Sequence, residues 1–136
     1  LLDLGLDEVA VSDTIGTAVP TDVIAIVGHL LRAIPADRLA LHFHDTNGFA
    51  LANVYAGLTL GISTYDGSAG GLGGCPFAPG AAGNLATEDL VCFLEDMGIE
   101  TGVDVEKVLD AAAMIAGHLH RPLHSALWRR RRACPS

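Results

Sequence analysis

The chain has 136 residues, half of them hydrophobic, with a mean hydropathy of +0.40. That excludes a disordered polypeptide and suits one ordinary domain. No run approaches the roughly eighteen uninterrupted apolar residues that a membrane-spanning helix needs. Sixteen acids against eight bases give a net charge of −8, with every acid at or before Asp110 and half of the bases in Arg129–Arg132. Such an acidic body lacks the clustered Lys and Arg that a nucleic-acid backbone requires, so neither a nucleic-acid nor a membrane partner is expected.

The acidic start, Leu1-Leu2-Asp3-Leu4-Gly5-Leu6-Asp7, is unlike a secretion signal. The absence of an initiator Met leads us to expect a piece of a longer chain. Cys75, Cys92 and Cys134 are widely spaced. They form neither a disulfide framework nor a C-x-x-C metal pattern, and a reducing, cytoplasmic location fits them.

Strand and helix alternate along the chain. Glu8 to Ser12 is a short strand closed by the turn cluster Asp13-Thr14-Ile15-Gly16. Pro20 precedes a helix over about 21–33, with Val23, Ile26, Val27, Leu30 and Ile34 at helical spacing and Pro35 as its stop. Leu39 to His44 is the second strand, 50–60 the second helix with Gly61 after it, and Ile62 to Asp66 the third strand. A glycine-rich loop runs from Gly67 to Asn84. Thr87 is then expected to cap a helix reaching Met97, and Asp104 a last helix reaching Leu119. Residues 121–136 are expected to be a poorly ordered basic tail.

Strand starts near 8, 39 and 62 imply βα units, right-handed crossovers and a parallel sheet. Asp13, Asp45 and Asp66 close the three strands. They should share the carboxyl-end rim, where parallel α/β folds place their sites. Three such units amount either to the last three-eighths of a (β/α)8 barrel, which takes about 250 residues when complete, or to a small open sheet.

The most informative string is Leu41-His42-Phe43-His44-Asp45. Side chains alternate along a strand, so His42 and His44 share a face, about 6–7 Å apart, and can share one cation. Leu41 and Phe43 then pack on the helices. A lone strand histidine is usually a satisfied structural residue; a pair beside an aspartate at a strand end favours a metal site.

The loop Gly70-Gly71-Leu72-Gly73-Gly74-Cys75-Pro76 matches neither a dinucleotide nor a phosphate loop. Its glycines allow a tight path or a lid. Cys75 within it is poorly placed for packing and well placed for proton transfer. Cys92, among Leu90, Val91, Phe93 and Leu94, reads as core filler. Asn84 could complete a helix N-terminus or lend its carbonyl oxygen to a cation. His29, His118, His120 and His124 belong on helix faces or the tail.

Val11-Ser12-Asp13-Thr14-Ile15-Gly16, His42-Phe43-His44-Asp45-Thr46, the Gly71–Ala78 run Gly-Leu-Gly-Gly-Cys-Pro-Phe-Ala, and Gly83-Asn84-Leu85-Ala86-Thr87-Glu88-Asp89 occur in that order. Together they resemble the 3-hydroxy-3-methylglutaryl-CoA lyases of the DRE-TIM metallolyase group, over about residues 7–115. The resemblance implies an α/β fold made of the C-terminal three βα units of a (β/α)8 TIM barrel plus C-terminal helices, an incomplete barrel occupying residues 1–120. It implies His42, His44 and Asn84 as ligands of a divalent cation, Mg2+ or Mn2+. His42 is also implied as a base, Cys75 as the catalytic acid, Asp13 as an acid near the substrate, and Gly73 and Gly74 as substrate-loop residues. The family's remaining metal aspartate and its D-R-E signature have no match in these 136 residues. Phe43 and Asn47 depart tolerably from the family pattern, and the run after His118 has no clear counterpart.

The implied reaction is retro-Claisen cleavage of a CoA thioester, 3-hydroxy-3-methylglutaryl-CoA, to acetyl-CoA and acetoacetate. The implied assembly is a homodimer when full length, and the 136 residues alone should be inactive. Imidazole and oxygen ligands suit Mg2+ or Mn2+, although two imidazoles alone could also hold zinc. Two alternatives stay open. One is a condensing synthase of isopropylmalate or homocitrate type, which would lack the Gly-Gly-Cys-Pro loop. The other is an inactive α/β remnant.

Overall fold

The computed structural model describes residues 5–74, 83–119 and 122–133. Three parallel strands, β1 (Val9–Asp13), β2 (Leu39–Phe43) and β3 (Thr64–Asp66), form one sheet in the order β1-β2-β3. Helix α1 (Pro20–Leu30) joins β1 to β2, and α2 (Ala50–Thr59) joins β2 to β3. Helices α3 (Thr87–Asp96), α4 (Val105–Leu119) and α5 (Ala126–Ala133) follow. The alternation expected from the sequence is present. Among the described residues no helix is long and apolar enough to cross a membrane.

β2 lies between two partners, so nearly all of it is buried. Leu39, Leu41 and Phe43 pack with Val27, Val54, Ile62 and Leu90 in one core. Strands buried on both faces read as continuous apolar runs, and Leu-Ala-Leu is such a run. β1 and β3 each pair on one side only among the described residues.

The element ends differ from the sequence expectation for local reasons. β3 starts at Thr64 rather than Ile62, because the Ile62 N–H donates to Gly57 O (3.1 Å) at the end of α2 instead of joining the ladder. β2 ends at Phe43, and His44 N–H turns to Asp13 O (3.3 Å). α1 stops at Leu30, where a tighter turn takes over as Ala33 N–H donates to Leu30 O (2.9 Å). Thr87 is the first helical residue of α3 rather than its cap. Ala86 occupies the cap without a side-chain bond, and Thr87 N–H donates to Ser68 O (3.0 Å). Asp104 does precede α4 as expected, accepting from Glu106 N–H and Lys107 N–H (3.1 and 3.3 Å); these Lys107 contacts hold its carboxyl below the usual range.

Within the tail, where the sequence suggested loose order, Ala126–Ala133 form helix α5. Ser125, fully buried, accepts from Trp128 N–H (3.0 Å) and donates to Asp89 (2.9 Å). The Asp89 carboxylate also accepts from Ala126 and Leu127 N–H (2.7 and 2.8 Å). One carboxylate on α3 therefore satisfies two of the orphan donors of α5, Ser125 Oγ takes a third, and the positive end of the α5 dipole favours the carboxylate charge. Asp89→Ala is expected to release α5 at a local cost of about 1–2 kcal/mol. Faster hydrogen exchange at Leu127 and Trp128, with Leu90 and Leu94 still protected, would register this.

Candidate active site

His42 and His44 project from the carboxyl end of β2 with ring centroids 5.2 Å apart, one ring edge-on to the other at 63°. Their neighbours Leu41 and Phe43 are almost completely buried. The alternation expected of the string is thus realised. His44 is 7% exposed, and its Nδ1 has no hydrogen-bond partner among the described residues. A buried, unpartnered ring nitrogen is costly unless something outside the protein atoms satisfies it.

Asn84 reaches this rim through the chain path beyond the glycine loop. His44 and Asn84 form an isolated antiparallel bridge. On either side of it, Asp45 N–H donates to Gly83 O (3.1 Å) and Leu85 N–H to Phe43 O (2.9 Å). Leu72 O accepts from both the backbone N–H (3.4 Å) and the side-chain Nδ2 (2.8 Å) of Asn84. The amide nitrogen is thereby committed to the loop, which leaves the carbonyl oxygen as the donor atom a hard cation takes.

The glycines make this approach possible. A Cβ on Gly83 would sit 2.1 Å from Gly71 O, and one on Gly73 (φ +112°) would sit 2.6 Å from Asn84 Nδ2. Gly74 has open space around its missing Cβ. The base of the loop is fixed at Gly70, whose N–H donates to both oxygens of the fully buried Glu88 (3.1 and 3.0 Å). Gly70 O in turn accepts from His124 N–H (3.2 Å). Cys75, the expected acid, lies outside the described residues, as does Cys134.

The three rim acids expected to converge do share the strand ends, yet they do different work. The carboxylate of Asp13 accepts from Gly16, Thr17 and Ala18 N–H (3.0, 3.3 and 2.9 Å), holding the turn after β1. Asp45 accepts from Ala50 N–H (2.9 Å) at the start of α2. Asp66 alone reaches the imidazole pair, through a bond between its Oδ1 and His42 Nδ1. The register explains this. Asp66 is paired with His42 across the ladder and so shares its face, whereas Asp13 is paired with Phe43. Strand order alone marked Asp66 as a rim acid, and only the register gives it this partner.

Cys92 departs from its expected place in the core. It is half-buried, with its sulfur 3.8 Å from Asp96 Oδ2, and burial together with the nearby Asp96 charge pushes its thiol pKa up. A cleft of about 610 Å³ opens between α4 and α5, lined by Ala113, Gly117, Leu123, Trp128 and Arg132 among others, away from the histidines. A polar niche of about 180 Å³ borders Asn84 and is also lined by Asp45, Asp89, His124 and Arg129.

The donor set fits a divalent cation. It combines two imidazoles with an amide side chain whose backbone is bridged to that of His44, the histidine that also carries the unpartnered buried nitrogen. Among the described residues no three His, Cys, Asp or Glu side chains form a cation-holding group. Asn84, bridged to His44 through the backbone, brings an amide side chain to the same strand end.

A family profile described as HMGL-like matches residues 1–115. The chain is similar to hydroxymethylglutaryl-CoA lyase YngG of Bacillus subtilis, 52% identical over 125 residues that cover 92% of this chain and 42% of that protein. The crystal structure of the Bacillus subtilis HMG-CoA lyase superposes with a TM-score of 0.93 at 49% identity, covering 96% of this chain and 44% of that one. An HMG-CoA lyase from Acinetobacter baumannii, solved with coenzyme A and 3-methylmalate, gives 0.87 at 42% identity, covering 94% and 42%. The chain thus spans about two-fifths of the length of these relatives. The three βα units correspond to part of their (β/α)8 barrel, as the sequence implied. The 96% match reaches into α5, so the run after His118 does have a counterpart.

Proposed function

Because the chain belongs to the HMGL-like family, we propose that it provides the C-terminal half-site of an enzyme cleaving 3-hydroxy-3-methylglutaryl-CoA to acetyl-CoA and acetoacetate. The observation that carries this reading is the meeting of His42, His44 and Asn84 at one strand end. The relatives support the substrate class, since one of them was solved with coenzyme A and a small methylated hydroxy-diacid.

His42, His44 and the Asn84 oxygen would hold the cation, Mg2+ or Mn2+ by the chemistry of imidazole and amide donors. When bound, the cation lowers the pKa of the substrate's tertiary hydroxyl and fixes the substrate in place. His42 takes the hydroxyl proton where its one free ring nitrogen faces the substrate and not the cation, since a single lone pair serves one of the two. The carbon–carbon bond then breaks with its electron pair passing to the thioester fragment, and the hydroxyl carbon becomes the ketone of acetoacetate. Cys75 gives a proton to the resulting acetyl-CoA enolate. Gly73 lets the chain pass close against Asn84, and Gly74 leaves open space for the substrate beside it. Asp13 shapes the turn beside the substrate through its three backbone bonds. The described half-site supplies no carboxylate ligand, so the 136 residues alone should not turn over.

The test follows the products of 3-hydroxy-3-methylglutaryl-CoA with the intact protein. Equal amounts of acetyl-CoA and acetoacetate are expected, with loss of activity on chelation and recovery with Mg2+ or Mn2+. Consumption of acetyl-CoA, or cleavage indifferent to chelation, would overturn the reading.

A further inference from the structure

The family resemblance gives Asp66 no task. The geometry points to one: we propose that Asp66 is a positioning residue that fixes the proton on His42 Nδ1 and so dedicates His42 Nε2 to the cation or the substrate hydroxyl. This rests on the cation reading above only for what Nε2 does, and not for which nitrogen carries the proton.

Three observations carry it. The Asp66 side chain bonds His42 Nδ1. An ionised carboxylate only accepts, so the hydrogen between them belongs to the imidazole. The ladder pairs Asp66 with His42 directly, so the contact follows from the register and not from a chance side-chain reach. The carboxylates of the other two rim acids, Asp13 and Asp45, are both committed to backbone N–H groups, whereas the Asp66 carboxylate accepts from no backbone N–H among the described residues. Among the described residues its carboxylate has no other partner to compete with the imidazole. A ligating histidine generally donates its second ring N–H to such an acceptor, which sets the ring's orientation and raises its basicity. His44, by contrast, has its Nδ1 unpartnered, so the two imidazoles of the pair are prepared differently.

Asp66 is 58% exposed on its side chain, so replacing it should leave the fold intact and the effect local. The first measurement uses metal-free intact protein with 15N-labelled imidazoles, at about pH 9, above the ordinary histidine range. His42 is expected as the Nδ1–H tautomer in the unmodified protein and in Asp66→Asn, whose amide oxygen still accepts. In Asp66→Ala it should move toward the Nε2–H form. An unchanged tautomer in Asp66→Ala would overturn the proposal.

The second measurement titrates Mn2+ alone by its paramagnetic resonance. Asp66→Ala is expected to weaken binding by about 10–100-fold, the usual effect of losing an outer partner. Unchanged affinity in Asp66→Ala, beside a large loss in His44→Ala, would also overturn the proposal. If His44→Ala binds Mn2+ like the unmodified protein, the cation reading falls, and the tautomer measurement alone then decides the case for Asp66.

Discussion

His44→Ala in the intact protein is expected to abolish both cation binding and cleavage. The residue is 7% exposed and carries a ring nitrogen with no partner, and its backbone is bridged to Asn84. Removing the imidazole deletes one donor and leaves the others to hold the cation. The loss should exceed the roughly 10–100-fold that follows from disturbing an outer-shell partner alone. The Ala variant keeps the backbone bonds His44 N–H to Asp13 O and Asp45 N–H to Gly83 O, so the fold should survive. Metal analysis of the purified protein, with circular dichroism as the folding control, checks both halves. Full metal content in a folded His44→Ala protein would remove this residue from the ligand set.

Cys75→Ala should separate the two properties. Turnover is expected to fall by about 10²-fold or more, in the range for a general acid, with metal content unchanged. The reason lies in the placement of Asn84. Its described contacts run to Leu72 and His44, so the donor set is expected to keep its arrangement without the thiol. Retained turnover would exclude Cys75 from proton transfer.

The features legible in the sequence were those set by local periodicity. The histidine pair followed from the two-residue repeat of a strand, and the order of strands and helices from apolar spacing and turn residues. Asn84 was ambiguous locally, and the motif resemblance placed it among the ligands. Its approach depends on glycine contacts such as Gly83 against Gly71 O, between residues twelve apart in the chain. Asp66 was visible as a rim acid, but its partner depends on ladder register, which one strand's sequence does not encode. The ordering of α5 was hidden for a related reason. Four consecutive arginines suggest a frayed end, yet the capping carboxylate comes from Asp89, 37 residues before the Ala126 amide it accepts from.

Gly70 is gripped from both sides, its N–H by Glu88 and its carbonyl by the His124 amide. A segment remote from the histidines in the chain is therefore stitched to Gly70, where the glycine-rich run begins. Deletions trimmed back past residue 124 would remove none of the candidate chemical groups and would still release Gly70 from one side. In any survey of truncations they would pass for active-site lesions.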